Sequence, residues 1–267
     1  MNRLTIAATA MFFALPAAFA QNNRSWVAST GSDTNPCTRA QPCATFQGAF
    51  GKTNANGEID VVDPGDYGSV NISTAVTIDG GGMARITSAS PNAAVHITSS
   101  AAVVIRNLSI TGYWGFEIAQ FFGKVHVENV EISNVTLGAF YISAGGGNVT
   151  IQGSTLHDVT GGGGFGLFAI GSVTVDIRDT TFSNMGPGNS AIGASFETTI
   201  NVEKSFIVGN SFGVGVEQGG TIRLSDCTII DNQIGLLNVG GTIISFVNNR
   251  IYGNGTDGSP TKSVYQR

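Results

Sequence analysis

From Val103 onward the sequence can be laid over itself. Residues 103–110, 125–132, 149–156, 175–182, 200–207, 222–229 and 244–251 share one pattern, with Val or Ile at the first position and an apolar residue at the third and the last. Taking the fifth residue of each as anchor (Asn107, Asn129, Gly153, Asp179, Lys204, Asp226, Asn248), the steps are 22, 24, 26, 25, 22 and 22 residues. A period in the twenties signals a solenoid, in which no unit can bury its own apolar face and neighbours must stack.

Each unit opens with apolar residues at alternate positions, the period of a strand with one face buried. A second short run follows, as in Gly138-Ala139-Phe140-Tyr141-Ile142 and Gly213-Val214-Gly215-Val216. Such a coil holds strands and has no room for a helix, which excludes a leucine-rich repeat of similar period. The chain has only nine leucines, and Val, Ile and Phe at the core positions suit pleated surfaces. Gly112, Asn134, Asp158 and Asn184 are expected to close one corner of the earlier coils. Asn210, Asn232 and Asn254 recur at steps of 22; these residues tolerate left-handed backbone, and in register they make an amide ladder.

The expected fold is therefore all-β, a right-handed parallel β-helix of about 22–26 residues per coil. Residues 45–50 form the best amphipathic helical candidate and are expected to cap the N-terminal end, since open sheet ends need covering. The domain reading is a signal peptide at 1–20, an N-terminal segment with the cap helix at 21–58, the β-helix at 59–254 and a tail at 255–267 that loses the pattern and ends in a loop. The leader reading rests on Arg3, the apolar stretch from Leu4 to Leu15 and the Ala18-Phe19-Ala20 triplet, with cleavage after Ala20. That stretch is far shorter than the ~20 residues a membrane span needs, so the expected location is secreted or periplasmic with no membrane span. A net charge of −5 with 12% charged residues argues against a nucleic-acid partner, which would need a basic face. The oligomeric state is not legible.

In an oxidising compartment Cys37 and Cys43 are expected to form a small disulfide loop. Cys227 falls on an inward position, where a free Cys behaves as a small apolar residue. A zinc site from the three fails on spacing, with no His nearby to complete it.

Trp26-Val27-Ala28-Ser29-Thr30-Gly31-Ser32-Asp33, then Pro42-Cys43-Ala44-Thr45-Phe46-Gln47-Gly48-Ala49, resembles the opening segment and cap helix of the secreted bacterial right-handed β-helix proteins of the pectin-lyase-like superfold. Asp63-Pro64-Gly65-Asp66-Tyr67-Gly68 is similar to the Pro-Gly-x-Tyr turn that enters the first full coil of that group. The resemblance spans the chain after residue 20 and implies the fold. It does not choose an activity, because this scaffold carries lyases, glycosidases, epimerases, esterases, adhesins and inert modules. The Asn-Thr-Asp, Asp-Asp and Gly-His-Gly motifs of polygalacturonase-like members and the Asp-Pro-His-Asp signature of alginate epimerases are absent.

Alternation assigns the outward face of the first strand of each coil. One column reads Val104, His126, Thr150, Asp176, Asn201, Arg223, Ser245, and the other Arg106, Glu128, Gln152, Arg178, Glu203, Ser225, Val247. As a catalytic set, His126 or Glu128 would move a proton, Asp176 would share the same strip, and Arg106 and Arg178 would hold sugar carboxylates by bidentate bonds. The same residues also describe cross-strand charge pairs on a solvated face. His157-Asp158 reads as a base with its carboxylate or as a turn; adjacent side chains on an extended chain point opposite ways, which favours the turn. Glu58, Asp60, Asp63 and Asp66 form the densest acidic stretch, to which calcium is suited as a hard cation; no other cofactor or metal is expected. Three functions stay open: an exported module contacting polysaccharide or another extended surface, a lyase or glycosidase acting on an acidic polysaccharide, and a passive structural or adhesive element.

Overall fold

The computed structural model describes residues 21–188 and 190–265; the leader at 1–20 lies outside them. The stacking expected from the repeat is realised as three ladders of parallel strands, one for each side of the coil. In the long coils one strand bends through all three ladders, as in Val76–Ile97, Ala102–Phe121 and Lys124–Ala144. Later coils break into three short strands, such as Thr199–Glu203, Phe206–Val208 and Phe212–Glu217.

Two left-handed corners explain why the period is legible. At the first, Asn107, Asn129, Gly153, Asp179, Lys204 and Asp226 have φ between 47° and 59°, so the anchor position of the repeat is the residue that bends the coil. Asn and Asp adopt this conformation readily, and Gly without a Cβ penalty. At the second, the left-handed residues are Asn134, Asp158, Asn184, Gly209, Asp231 and Gly253. Asn210, Asn232 and Asn254 therefore do not bend the chain themselves. They follow the bend and point inward, in the column that Val135, Val159 and Met185 fill with apolar side chains in earlier coils.

These asparagines form the expected amide ladder. Asn210 Nδ2 donates to Asn232 Oδ1 and Asn232 Nδ2 to Asn254 Oδ1, each at 2.9 Å, and their backbone N–H groups follow the same path. Asp257 accepts from Asn254 N and Nδ2, so the asparagine ladder ends on a carboxylate. A second inward column holds Ser154, Thr180, Ser205 and Cys227. The two serines and Thr180 bond the carbonyl two residues back, and the Cys227 thiol faces the Ser225 carbonyl at 3.3 Å in the same way. Cys227 is buried and free, as its position implies.

Three boundaries differ from the sequence reading. Pairing begins at Asn22–Val27, which runs parallel to Thr53–Val61, ahead of the expected start at 59. The coil at Val76–Ile97 lacks the repeat signature because the bulge between Asp79 and Ala84 and the insertion between Ser88 and Ala93 break its alternation. The tail is not only a loop: Lys262–Ser263 pairs with Thr242–Ser245. At the N-terminal end the helix Phe46–Phe50, N-capped by Thr45, buries Phe46 against Tyr67 at 5.4 Å. The disulfide-bonded loop of Cys37 and Cys43 hydrogen-bonds the edge strand through Trp26, a cover that an exposed edge requires.

Candidate functional site

The outward face of the first ladder carries two columns over the length of the helix. Strand register gives Arg24, Glu58, Thr77, Val104, His126, Thr150, Asp176, Asn201, Arg223 and Ile244 in one. The other holds Trp26, Asp60, Asp79, Arg106, Glu128, Gln152, Arg178, Glu203 and Ser225. The last coil departs from the alignment read in sequence. Ile222 pairs with Ile243 and Leu224 with Ser245, so Ser245 turns inward and Ile244 outward. The left-handed bend of that coil sits at Val247, not Asn248. By continuation of the same register Phe246 follows Ser225 on the outer face.

The five sequence candidates share this strip but do not converge. Arg106 neighbours Glu128 in register, yet its guanidinium turns the other way, with Nε on Asp79 Oδ2 at 2.8 Å and Nη2 on Glu58 Oε1 at 3.1 Å. Burial opposes ionisation of Asp79, but hydrogen bonds from Asn107, the Gly81 N–H and Arg106 hold its carboxyl below the usual range. His126 Nε2 lies 3.7 Å from Glu128 Oε2, both about a third exposed. Asp176 and Arg178 stand two coils beyond, about 10 Å away at one coil per ~4.8 Å. Arg178 faces Glu203 at 3.7 Å, while Asp176 accepts from Asn201 Nδ2 at 2.8 Å and Asn201 Oδ1 accepts from Arg223 Nη1 at 3.2 Å. Near this end Asp176, Arg178, Asn201, Glu203, Arg223, Ser225 and Phe246 line a hollow of about 340 Å³.

The His157-Asp158 pair is a correction. Its side chains do meet, with His157 Nδ1 2.8 Å from Asp158 Oδ2, because left-handed Asp158 (φ 56°) breaks the alternation that would send them apart. His157 Nε2 reaches Glu131 Oε1 on the preceding coil at 3.2 Å, and Asp158 accepts from Asn184 on the next. Partial burial works against the imidazolium, but the two carboxylates outweigh it and raise the His157 pKa above its ordinary value. Glu131 borders a wide groove of about 990 Å³, walled by Pro64–Asp66, Gly81–Ala84 and the Asn107–Asn129 corner.

The acidic stretch disperses. Glu58 and Asp60 turn to Arg24 and Arg106, Asp63 accepts from Ser29 N, Ser29 Oγ and the Tyr67 hydroxyl, and Asp66 accepts from Thr87. Ser29 and Tyr67 hold the Asp63 carboxyl below its usual range. Among the described residues no three His, Cys, Asp or Glu side chains are grouped as metal ligands would be, and no helix is long and apolar enough to cross a membrane.

Three parallel ladders, two left-handed corners and a charged outer strip define a right-handed parallel β-helix protein of pectin-lyase-like fold. A family model described as the right-handed beta helix region matches residues 139–262. The crystal structure of pectate lyase Pel9A aligns with a TM-score of 0.69 and 14% sequence identity, over 88% of this chain and 72% of that one; at that identity the likeness is one of architecture. No curated protein sequence matches.

Proposed function

We propose that the chain is an exported β-helix module that holds a polysaccharide along the outer face of its first ladder without cleaving it. The observation that carries this reading is the mutual pairing of most of the strip's charges along the helix axis: Arg24 with Asp60, Arg106 with Asp79 and Glu58, and Arg178 with Glu203. Paired charges are poor proton shuttles, and a base must lie within hydrogen-bond reach of the proton it takes. They still present donors and acceptors to hydroxyls over a straight face of many coils, a shape that suits a long chain better than a small ligand. The leader and the Cys37–Cys43 bond both fit export to an oxidising compartment.

One contact favours turnover instead. The His126–Glu128 approach of 3.7 Å would let the pair act as base and orienting carboxylate. The test is to present the protein from residue 21 onward with acidic and neutral polysaccharides, with and without calcium, measuring retention in affinity electrophoresis beside unsaturated-uronate absorbance and reducing ends. Retention without product supports binding. Product that grows with time and disappears in Glu128→Gln establishes an enzyme and overturns the proposal, and a lack of retention on every polymer overturns it in favour of a structural element.

A further inference from the structure

Building on the reading that the strip holds a polymer, we infer that the hollow at its C-terminal end is a subsite for one anionic sugar ring, with the acid group on Arg223 and the ring against Phe246. Three independent observations meet here. The first is charge. Arg223 has no carboxylate within 4.0 Å among the described residues; its recorded partner is the neutral Asn201 carbonyl. Arg24, Arg106 and Arg178 each face an acid. Asp176 and Glu203 also line the hollow but are engaged by Asn201 and Arg178, and the register adds Lys262 beside Ile244.

The second is orientation. Asn201 is fixed by Asp176, which takes its Nδ2 hydrogen, and this leaves Oδ1 to hold one arm of the Arg223 fork. The other N–H groups of the planar guanidinium remain for a ligand, and that fork matches a carboxylate or sulfate in bidentate geometry. The third is shape. A one-residue change of register in the last coil brings Phe246 into the wall of the hollow, where the alternation read from sequence would bury it. A partly exposed ring lining the same hollow as the guanidinium offers an apolar surface to the C–H face of a sugar while the charge reads its acid group.

Asp176 and Asn201 are positioning residues here, and Arg223 and Phe246 the contacts. The test is calorimetric titration of the protein with a uronate, a sulfated and a neutral oligosaccharide of equal length. The acidic ligands should bind more tightly than the neutral one. Because hydrogen bonds to charged groups are individually strong, Arg223→Ala should weaken acidic ligands roughly tenfold or more and leave the neutral one unchanged. Phe246→Ala should weaken all three, and Asn201→Ala should weaken the acidic pair while Asn201→Asp weakens it further by neutralising Arg223. Arg223→Lys, which keeps the charge but not the fork, should restore part of the affinity. Loss of the uronate alone, or of the sulfate alone, on removing Arg223 identifies the acid recognised.

Acidic ligands that bind wild type and Arg223→Ala equally overturn the subsite and leave the strip reading intact. If no oligosaccharide binds the wild type, the strip reading fails and the subsite with it.

Discussion

Single side chains in this molecule act through columns, so their effects differ from those of isolated residues. Asn232 is buried and supplies the acceptor for both Asn210 N and Asn210 Nδ2. Asn232→Ala orphans those donors, and the expected loss is about 2–3 kcal/mol by the cost of buried unsatisfied groups, read by denaturant unfolding. Lys204 is the one long side chain at the first left-handed corner, with φ 49°. Lys204→Asn should stabilise by about 0.5–1 kcal/mol because Asn tolerates this conformation better. At Cys227, burial pushes the thiol pKa up to about 11. It should resist thiol reagents in the native protein and react in denaturant, and Cys227→Ser should be tolerated because serine already occupies the same column at 154 and 205. A thiol that reacts at the native rate of an exposed cysteine would contradict that burial.

At the scale of the coil, the network through Glu131, His157, Asp158 and Asn184 ties adjacent turns of the second ladder together, and its contribution depends on pH. The folded-state pKa of His157 is raised, so its stabilisation is complete below the unfolded value near 6.5 and is lost as pH rises through the folded value. The Asp158 pKa is lowered, chiefly by the Asn184 hydrogen bond and then by His157, so its part is present above about 4 and fades as pH falls through the folded value. Unfolding of wild type and His157→Gln should therefore differ most between about pH 4 and 6.5 and converge above it; a difference that is flat with pH would remove the ion pairs from the account. This network also marks what sequence could and could not give. Ladder, period and inward columns were legible because a stacked coil repeats one solution to the same burial problem. The meeting of His157 with Asp158 was not, since one left-handed residue cancels the alternation on which facing was judged. Phe246 escaped for a related reason: in Thr242-Ile243-Ile244-Ser245-Phe246 the apolar run fits either register, and the pairing with Ile222 and Leu224 decides it. The five strip candidates were placed on one face correctly, but their partners were set by side-chain reach across coils, which no spacing encodes.

The described residues form a rod whose N-terminal end is covered by the cap helix and whose three outer faces differ in character. The first ladder is a strip of paired charges. The second carries the His157 network beside the wide groove. The third exposes half-buried rings, with Trp114, Tyr141, Phe165 and Phe168 at centroid spacings of 5.7–6.5 Å. Which face holds the polymer is the central claim, and hydrogen–deuterium exchange with a retained polysaccharide tests it most directly. Residues 124–128, 148–152, 174–178, 199–203 and 221–225 should gain protection while 165–170 and 190–195 exchange as before. Protection centred on the aromatic face, with the first ladder unchanged, would contradict the account.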